Sequence, residues 1–250
     1  MISLIANKEF RSSLLTPRAY VLAAGTLCLA GYFFFRLLIG YNESLPQIAL
    51  SPDASPSLNE WVITPYFRTL QFLLVFLVPI LTMQSFAEER ERGTFELLAT
   101  SPIKVSQLVW GKFLGVMFVL VTILILTFVF PGSLLLLADP EPLATFIGFF
   151  GVLLFALAFA ALGLAVSAAS PSQGVAAIAG FIVLLMLYVV DAPSVSMGGS
   201  VAKALVYASP SNRVELLMKG VIDAGDIIYF LSVIAVGLFA SHRFLERERN

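Results

Sequence analysis

Charge, cysteine and histidine are all scarce in this chain. Only 12% of its 250 residues are charged, the formal net charge is −1, and there is one cysteine and one histidine. A single cysteine, Cys28, excludes a disulfide framework and a cysteine-based metal site. The near-neutral charge balance provides no basic surface for nucleic acid. With His242 as the sole histidine, near the C-terminus, the apolar segments hold no base for a hydrolase triad.

Apolar residues are correspondingly abundant, at 59% of the chain, and the mean hydropathy is +0.93. A soluble domain of ordinary composition has about 25% charged residues, roughly twice the share found here. A single water-soluble core cannot bury this much apolar surface. The composition therefore predicts a membrane protein whose solvent is lipid.

Long apolar segments predict the number of membrane crossings. A helix that rises about 1.5 Å per residue needs about 20 residues to cross a hydrocarbon core of about 30 Å. Six segments meet or approach this length, so we expect an all-α, multi-pass protein in which residues 1–250 form one membrane domain. The six predicted spans are residues 19–40, 69–86, 108–137, 143–168, 174–190 and 227–241.

Lysine and arginine residues predict the orientation of these spans. If the N-terminus lies inside, ten of these residues fall on the cytoplasmic side and four on the outer side. This distribution follows the positive-inside rule. We therefore expect a protein of the plasma membrane, here the bacterial inner membrane, with both termini in the cytoplasm.

Three segments outside the spans have distinct patterns. Residues 1–17 alternate apolar and charged positions at helical spacing, which predicts an amphipathic helix on the inner leaflet. Residues 41–68 hold several prolines and serines, and we expect an irregular outer loop. Residues 191–226 predict one or two short helices that re-enter the outer interface, starting at Pro210 and interrupted at Gly220 and Gly225. A simple amphipathic surface helix is the alternative for this third segment.

Small residues, rather than charges, occupy the predicted spans. No acidic or basic residue lies in the middle of a span, which argues against a carrier coupled to protons or sodium. Gly111 and Gly115 form a GxxxG pair, and the fourth span has a cluster made of Ala156, Ala160, Gly163 and Ala165. Small residues allow helices to approach closely. Packing within one bundle and a dimer interface are both compatible with this pattern.

Residues 87–104 form the most distinctive segment, which we call the connector. Its first part is highly charged, and its second part predicts a short apolar helix over residues 95–100, with Thr94 as the capping residue. Proline at 102 ends that helix, since the residue before a proline resists the α conformation. Ser101 and Pro102 are then the expected N-cap and first residue of the long third helix.

Sequence motifs for chemistry are weak. Gly111-Lys112 is followed by Phe113, so the chain has no phosphate-binding loop of the Walker type. Glu88 and Glu89 resemble the start of the EExxxR element of CAAX-type intramembrane proteases, but Arg92 does not stand at the required spacing. Such proteases also need histidines within the spans, which this chain does not have.

The connector resembles a known family. The stretch GTFELLATSPIKVSQLVWGKF is similar to the cytoplasmic connector of permease subunits of type-two ABC exporters, with the pattern E-x-G-T-x-E-x-L-x-x-x-P followed by Gly-Lys. The stretch SPSNRVELLMKGVIDAGDIIYFLS resembles the gliding-motility (Gld-type) branch of that family. The matching connector positions are Glu91, Gly93, Thr94, Glu96, Leu98, Pro102, Gly111 and Lys112.

The resemblance implies a non-enzymatic permease that pairs with a second copy or a related chain and docks a separate cytoplasmic ABC ATPase. ATP and magnesium would bind to that ATPase, and this chain would hold no cofactor and no metal. The connector would be the coupling helix, with charges that orient the ATPase and apolar residues that contact it. The expected coupling residues are Glu88, Glu89, Arg90, Glu91, Arg92, Gly93, Thr94, Phe95, Glu96, Leu97, Leu98 and Pro102.

Three classes of function remain open from the sequence. The first is the permease of an ABC transporter, and an ATPase gene next to this one would be the most easily obtained evidence for it. The second is a membrane-embedded protease, which the missing histidines disfavour. The third is a scaffold or assembly factor that has the permease fold and transports nothing. Both the first and the third class need the connector, so the sequence does not separate them.

Overall fold

A computed structural model describes residues 17–48, 57–94, 104–138, 140–192 and 205–249. Within these ranges the chain is helical and has no β-strand, which confirms the all-α prediction. A π-helical turn, Asn59–Ile63, leads directly into the second helix. The α-helices in chain order are α1 (Pro17–Ile48), α2 (Thr64–Thr82), α3 (Ala87–Glu91), α4 (Val105–Thr127), α5 (Val129–Leu137), α6 (Pro142–Ala169), α7 (Gln173–Tyr188), α8 (Pro210–Met218) and α9 (Ala224–Arg249).

Among the described residues, five helical segments are long and apolar enough to cross a membrane, which supports a multi-pass membrane protein. Each of the six predicted spans coincides with a helix, but the count of six is not confirmed. The fifth predicted span corresponds to α7, which is apolar and has only 16 residues. The five long segments are Ala19–Leu45, Asn59–Glu91, Val105–Leu137, Pro142–Ala169 and Ala224–Glu248.

Helix α6 lies at the centre of the bundle, in contact with α2, α4, α7, α8 and α9. Its close packing depends on small residues. A Cβ atom on Gly163 would lie 2.5 Å from Oγ1 of Thr82 in α2, and one on Gly237 of α9 would lie 2.7 Å from the carbonyl carbon of Ala161. Gly111 and Gly115 of the GxxxG pair are also buried within this chain. These contacts favour packing within one bundle over a dimer interface at these residues.

Helix α1 lies at the edge of the bundle, and only 17% of its most apolar window is buried. It contacts the bundle through Phe34, whose ring centroid lies 5.4 Å from that of Tyr66 in α2 and 5.6 Å from that of Phe130 in α5. The Tyr66 hydroxyl donates a hydrogen bond of 2.8 Å to the carbonyl of Thr127, where α4 ends. This bond satisfies a buried carbonyl at the break between α4 and α5.

The predicted irregular loop over residues 41–68 is wrong at both of its ends. Helix α1 continues to Ile48, and the π-helical turn and α2 already include residues 59–68. Proline at 65 misled the prediction, because it lies in the first turn of α2, where a missing N–H costs little. The predicted interfacial helix over residues 1–17 lies, apart from Pro17, outside the described residues.

The segment predicted to lie outside, residues 191–226, is helical over residues 205–208, 210–218 and 224–226, whereas residues 219–223 are not helical. Residues 205–208 form one helical turn, Ser209 caps α8 by accepting a bond from the N–H of Asn212, and Pro210 begins the helix as predicted. Gly220, two residues after the end of α8, has a φ of +81°, a conformation that favours glycine. Gly225 does not interrupt a helix: its N–H donates to Asp223 at the start of α9.

Overpacking at Gly237 tests the close contact between α6 and α9. The variant Gly237→Ala places a methyl group against the Ala161 backbone, which cannot move aside as a flexible side chain can. We expect the free energy of unfolding in mixed micelles to fall by about 1–3 kcal/mol.

The matched control for this contact is Gly25→Ala in α1, because a Cβ atom there would have no neighbour within 4 Å. Alanine favours helix over glycine by about 1 kcal/mol, so Gly25→Ala should leave stability unchanged or raise it. An equal loss of stability in both variants would contradict this account of the packing.

Candidate functional site

The described part of the connector, Ala87–Thr94, consists of α3 and a tight turn. The turn follows from Gly93, which has a φ of +69°, in the left-handed region that favours glycine at a helix C-terminus. The N–H of Thr94 then donates a bond of 2.9 Å to the carbonyl of Glu89. Arg92, Gly93 and Thr94 are exposed at this turn.

Lys112 and Glu89 form a buried ion pair between α4 and α3. The Lys112 ammonium lies 2.7 Å from Oε1 of Glu89, and the lysine side chain is only 2% exposed. The same ammonium donates a hydrogen bond to the carbonyl of Ser85 and lies 5.0 Å from the centroid of the Phe86 ring. A buried charge needs such partners to offset its loss of hydration. The pair therefore fixes the start of α4 against the turn between α2 and α3.

Arg90 satisfies the C-terminus of α6. Its guanidinium donates to the carbonyl of Ser170 at 2.7 Å and to the carbonyl of Ala168, and it forms an ion pair of 2.5 Å with Glu248 near the end of α9. The last four carbonyls of any helix have no partner within the helix, and a cation there also interacts favourably with the helix dipole. One side chain thus joins α3, α6 and α9.

Ser167 completes the junction between α3 and α6. Its hydroxyl oxygen accepts bonds of 3.2 Å from the backbone N–H groups of Phe86 and Ala87, where α3 begins. The hydroxyl donates in turn to the carbonyl of Met83, at 3.4 Å. Two of the N–H groups that would lack a partner at the start of a short helix are satisfied in this way.

Glu91 lies at the N-terminus of α7. Its carboxylate accepts a bond of 3.0 Å from the backbone N–H of Gln173, the first residue of that helix. A negative charge is favoured at a helix N-terminus. By contrast, Arg92 and Glu88 pair with each other along α3 at 2.7 Å, and the arginine is 67% exposed. The five charged residues from Glu88 to Arg92 therefore divide into three that contact other helices and two that pair with each other.

The structure brings five of the six predicted charged residues, Glu88 to Arg92, together with Gly93 and Thr94 at one end of the bundle. We call this end the connector end. Phe95, Glu96, Leu97, Leu98 and Pro102 lie outside the described residues, so their roles stay predictions. The predicted start of the third helix at Pro102 is wrong, because Lys104 is extended and acts as the N-cap of a helix that begins at Val105.

Sequence reasoning missed the partners of the connector. Ser167, Ser170 and Glu248 were not identified as site residues, although serines at the end of an apolar helix are a weak signal for a polar junction. The partners are separated from Arg90 by 77 to 158 residues in sequence, so no local pattern could indicate them.

A second polar cluster holds α8 at the opposite end of the bundle. Arg213 forms an ion pair of 2.8 Å with Asp226 of α9, and the aspartate is buried while the arginine is partly buried. The Arg213 guanidinium lies 3.8 Å from the centroid of the Tyr207 ring. Arg68 in the first part of α2 lies 2.8 Å from Glu215 of α8. Burial opposes ionisation of Glu215, but hydrogen bonding to Lys219 and the charge of Arg68 lower its pKa below its ordinary value.

Comparison with known families decides what kind of protein has this arrangement. A family model described as ABC-2 family transporter protein matches residues 63–241, more than two thirds of the chain. The chain belongs to the ABC-2 transporter family. The matched region includes α2 to α8 and most of α9, and therefore the connector and its contacts with α4, α6 and α7, whereas Glu248 lies beyond it. No individual characterised protein matches the sequence.

Membership of the ABC-2 family supports a permease role within an ABC transporter. Permeases of this family are typically non-enzymatic membrane subunits that work with an ATPase subunit. Within the described ranges, no group of three or more histidine, cysteine, aspartate or glutamate residues is placed to hold a metal ion.

Loss of Arg90 should destabilise the connector end. The variant Arg90→Gln removes charge-assisted bonds to α6 and the ion pair to α9, and such bonds contribute about 1.5–3 kcal/mol each. We expect the free energy of unfolding in mixed micelles to fall by about 2 kcal/mol or more. Arg90→Lys should not restore it, since one ammonium cannot reproduce the forked geometry of the guanidinium.

Arg92→Gln is the matched control, because Arg92 is an exposed arginine two residues further along the chain. Exposed pairs of this kind contribute little, so stability should change by less than about 1 kcal/mol. Equal effects of Arg90→Gln and Arg92→Gln on unfolding would refute the anchoring role of Arg90.

Acid should weaken the attachment of α8 through Glu215. Because the folded state lowers the pKa of this carboxylate, its contribution is present above the ordinary pKa of glutamate and is lost as pH falls through the lowered value. We expect wild-type protein to lose more stability than Glu215→Gln over this acidic range, measured as melting temperature against pH. Glu60→Gln, at an exposed position on the same end, should keep the wild-type pH dependence.

Proposed function

We propose that this chain is the permease of an ATP-driven ABC exporter and that the connector couples it to a separate cytoplasmic ATPase. The observation that carries the proposal is the anchoring of α3. Its charged side chains contact the ends of α4, α6, α7 and α9, while the chain at Arg92, Gly93 and Thr94 is exposed. The first part of the connector, α3, is thus fixed in the bundle, and the residues that follow it, Arg92 to Thr94, are exposed.

This arrangement suggests a division of roles within the connector. Glu89, Arg90 and Glu91 hold the segment in place, so they act as positioning residues rather than as contacts for the ATPase. Phe95, Leu97 and Leu98 would supply the apolar contact in a groove of the ATPase. A push on that apolar part during ATP-driven closure would reach four helices at once through the anchored charges.

The proposed assembly contains two permeases, either identical or one with a related chain, and an ATPase for each. ATP and magnesium would bind to the ATPase subunits only. In this assembly α7 would be the sixth span, both termini would lie in the cytoplasm, and the protein would reside in the bacterial inner membrane. Residues 1–17 would lie on the inner leaflet, and α8 would re-enter the outer interface.

The gliding-motility branch is the proposed position of this chain within the family. The support is the resemblance of residues 209–232, which include α8 and the start of α9. A scaffold that uses the same fold and transports nothing is the competing function, and the intramembrane protease lacks support from any cluster of catalytic side chains in the described ranges.

The decisive experiment for this proposal is reconstitution with the ATPase encoded beside this gene. The double variant Phe95→Ala/Leu98→Ala removes the proposed apolar contact, and a few well-packed anchor residues carry most of the affinity of an interface. We expect permease-dependent stimulation of ATP hydrolysis to fall tenfold or more, while the melting temperature of the permease stays unchanged.

Arg92→Gln serves as the control for coupling, because its exposed charge is not part of the apolar contact. It should retain stimulation close to wild type. Full stimulation by Phe95→Ala/Leu98→Ala would rule out the connector as the coupling helix. Stimulation without ATP-dependent transport of any added substrate in vesicles would favour the scaffold.

A further inference from the structure

A groove separates α4 from α9 at the connector end of the bundle. Its volume is about 370 Å³. Val109 and Leu238 form its buried floor, at 2% and 6% exposure, while its walls are exposed apolar side chains. The residues that define this α4–α9 groove for the argument are Ser106, Trp110, Leu231, Ala235, Phe239 and His242.

The α9 wall of the groove is about as long as one leaflet of a bilayer is thick. The part of α9 that lines the groove runs from Leu231 to His242, which at 1.5 Å per residue is roughly 16 Å of helix. The hydrocarbon core of a bilayer is about 30 Å thick, so one leaflet contributes about 15 Å. The α4 wall is shorter and consists of the turn from Ser106 to Trp110.

The mouth of the groove is polar. Ser106 and His242 lie there, and the Arg243 guanidinium lies 5.3 Å from the centroid of the Phe239 ring in the groove wall. The Glu246 carboxylate lies 3.8 Å from Arg243 and 3.6 Å from His242, and both distances are longer than a hydrogen bond. An apolar channel with an arginine and two hydrogen-bonding side chains at its mouth fits an amphiphile that has an anionic head.

A helix from a second copy is the alternative occupant. With a diameter of about 10 Å, such a helix would lie across the rims of the groove. A single extended acyl chain is much thinner and can lie along the floor.

We propose that the α4–α9 groove binds one anionic phospholipid from the leaflet at the connector end, with an acyl chain between the helices and its phosphate at Arg243 and His242. The orientation predicted from the sequence makes this the cytoplasmic leaflet. The site depends only on membrane insertion, and it does not require that the chain be a transporter. The lipid fills the gap between α4 and α9. Lys112 links α4 to α3, and Glu248 links α9 to α3.

Trp110 provides a direct probe of the site, because it lines the groove and is 46% exposed. In a Trp61→Phe background Trp110 is the sole tryptophan. Vesicles of phosphatidylcholine containing a few per cent of brominated phosphatidylglycerol should quench its fluorescence more strongly than vesicles with the same share of brominated phosphatidylcholine. Arg243→Gln should reduce this preference roughly fivefold, as expected for one cation near a lipid headgroup.

Two pairs of variants separate the site from general lipid contact. Ala235→Phe fills the groove and should abolish the preference, whereas Val236→Phe, on the neighbouring exposed face, should retain it. Arg92→Gln removes an arginine as exposed as Arg243, 67% against 68%, and should also retain it. Glu246→Gln removes the competing carboxylate and should increase the preference.

Three results would overturn the proposal. Equal quenching by the two brominated lipids would mean that only ordinary boundary lipid reaches Trp110. Equal effects of Arg243→Gln and Arg92→Gln would mean a diffuse surface attraction instead of a site. Loss of dimers in Ala235→Phe but not in Val236→Phe, measured by native mass spectrometry, would assign the groove to a second copy of the chain.

Discussion

The carbonyl groups at the C-terminus of α6 lack partners within their own helix, and Arg90 supplies them. This need is general, since every helix end leaves backbone groups unsatisfied, and in a membrane protein few water molecules are available to satisfy them. Here the partner comes from a charged segment that follows a different span. The need of the central helix for polar partners thus determines where the connector lies. In the same way, Glu89 contacts α4, Glu91 contacts α7, and Ser167 contacts the start of α3.

The two ends of the bundle use different solutions to position short helices. At the connector end, a five-residue helix with almost no apolar surface is held by charges and by backbone groups. At the opposite end, α8 is held mainly by burial, since Val214 and Leu217 pack over Gly151 of α6 and are fully buried. The first kind of attachment is directional and resists rotation of the segment. A segment that transmits force between two proteins benefits from such resistance.

Hydropathy was sufficient to predict where the apolar helices lie in the sequence, because it depends on the average character of a segment. It failed at helix ends, which depend on single residues. Pro65 suggested a loop but lies in a first turn, and Pro102 suggested a helix start that occurs at Val105. The charges of the connector were identified, but their partners were not, because the pair of Arg90 and Glu248 joins distant parts of the chain. Prediction from spacing does not extend over such distances.

The partners of Arg90 in α6 are carbonyl oxygens, and every amino acid has one. Mutations at Ala168 or Ser170 can therefore change the side chain without removing the acceptor, as long as the backbone keeps its course. The pair of Lys112 and Glu89 is different, since a change in one side chain leaves the other without its partner charge. Among relatives, we therefore expect correlated substitutions at the contact between α3 and α4. We expect none at the equally close contact between α3 and α6.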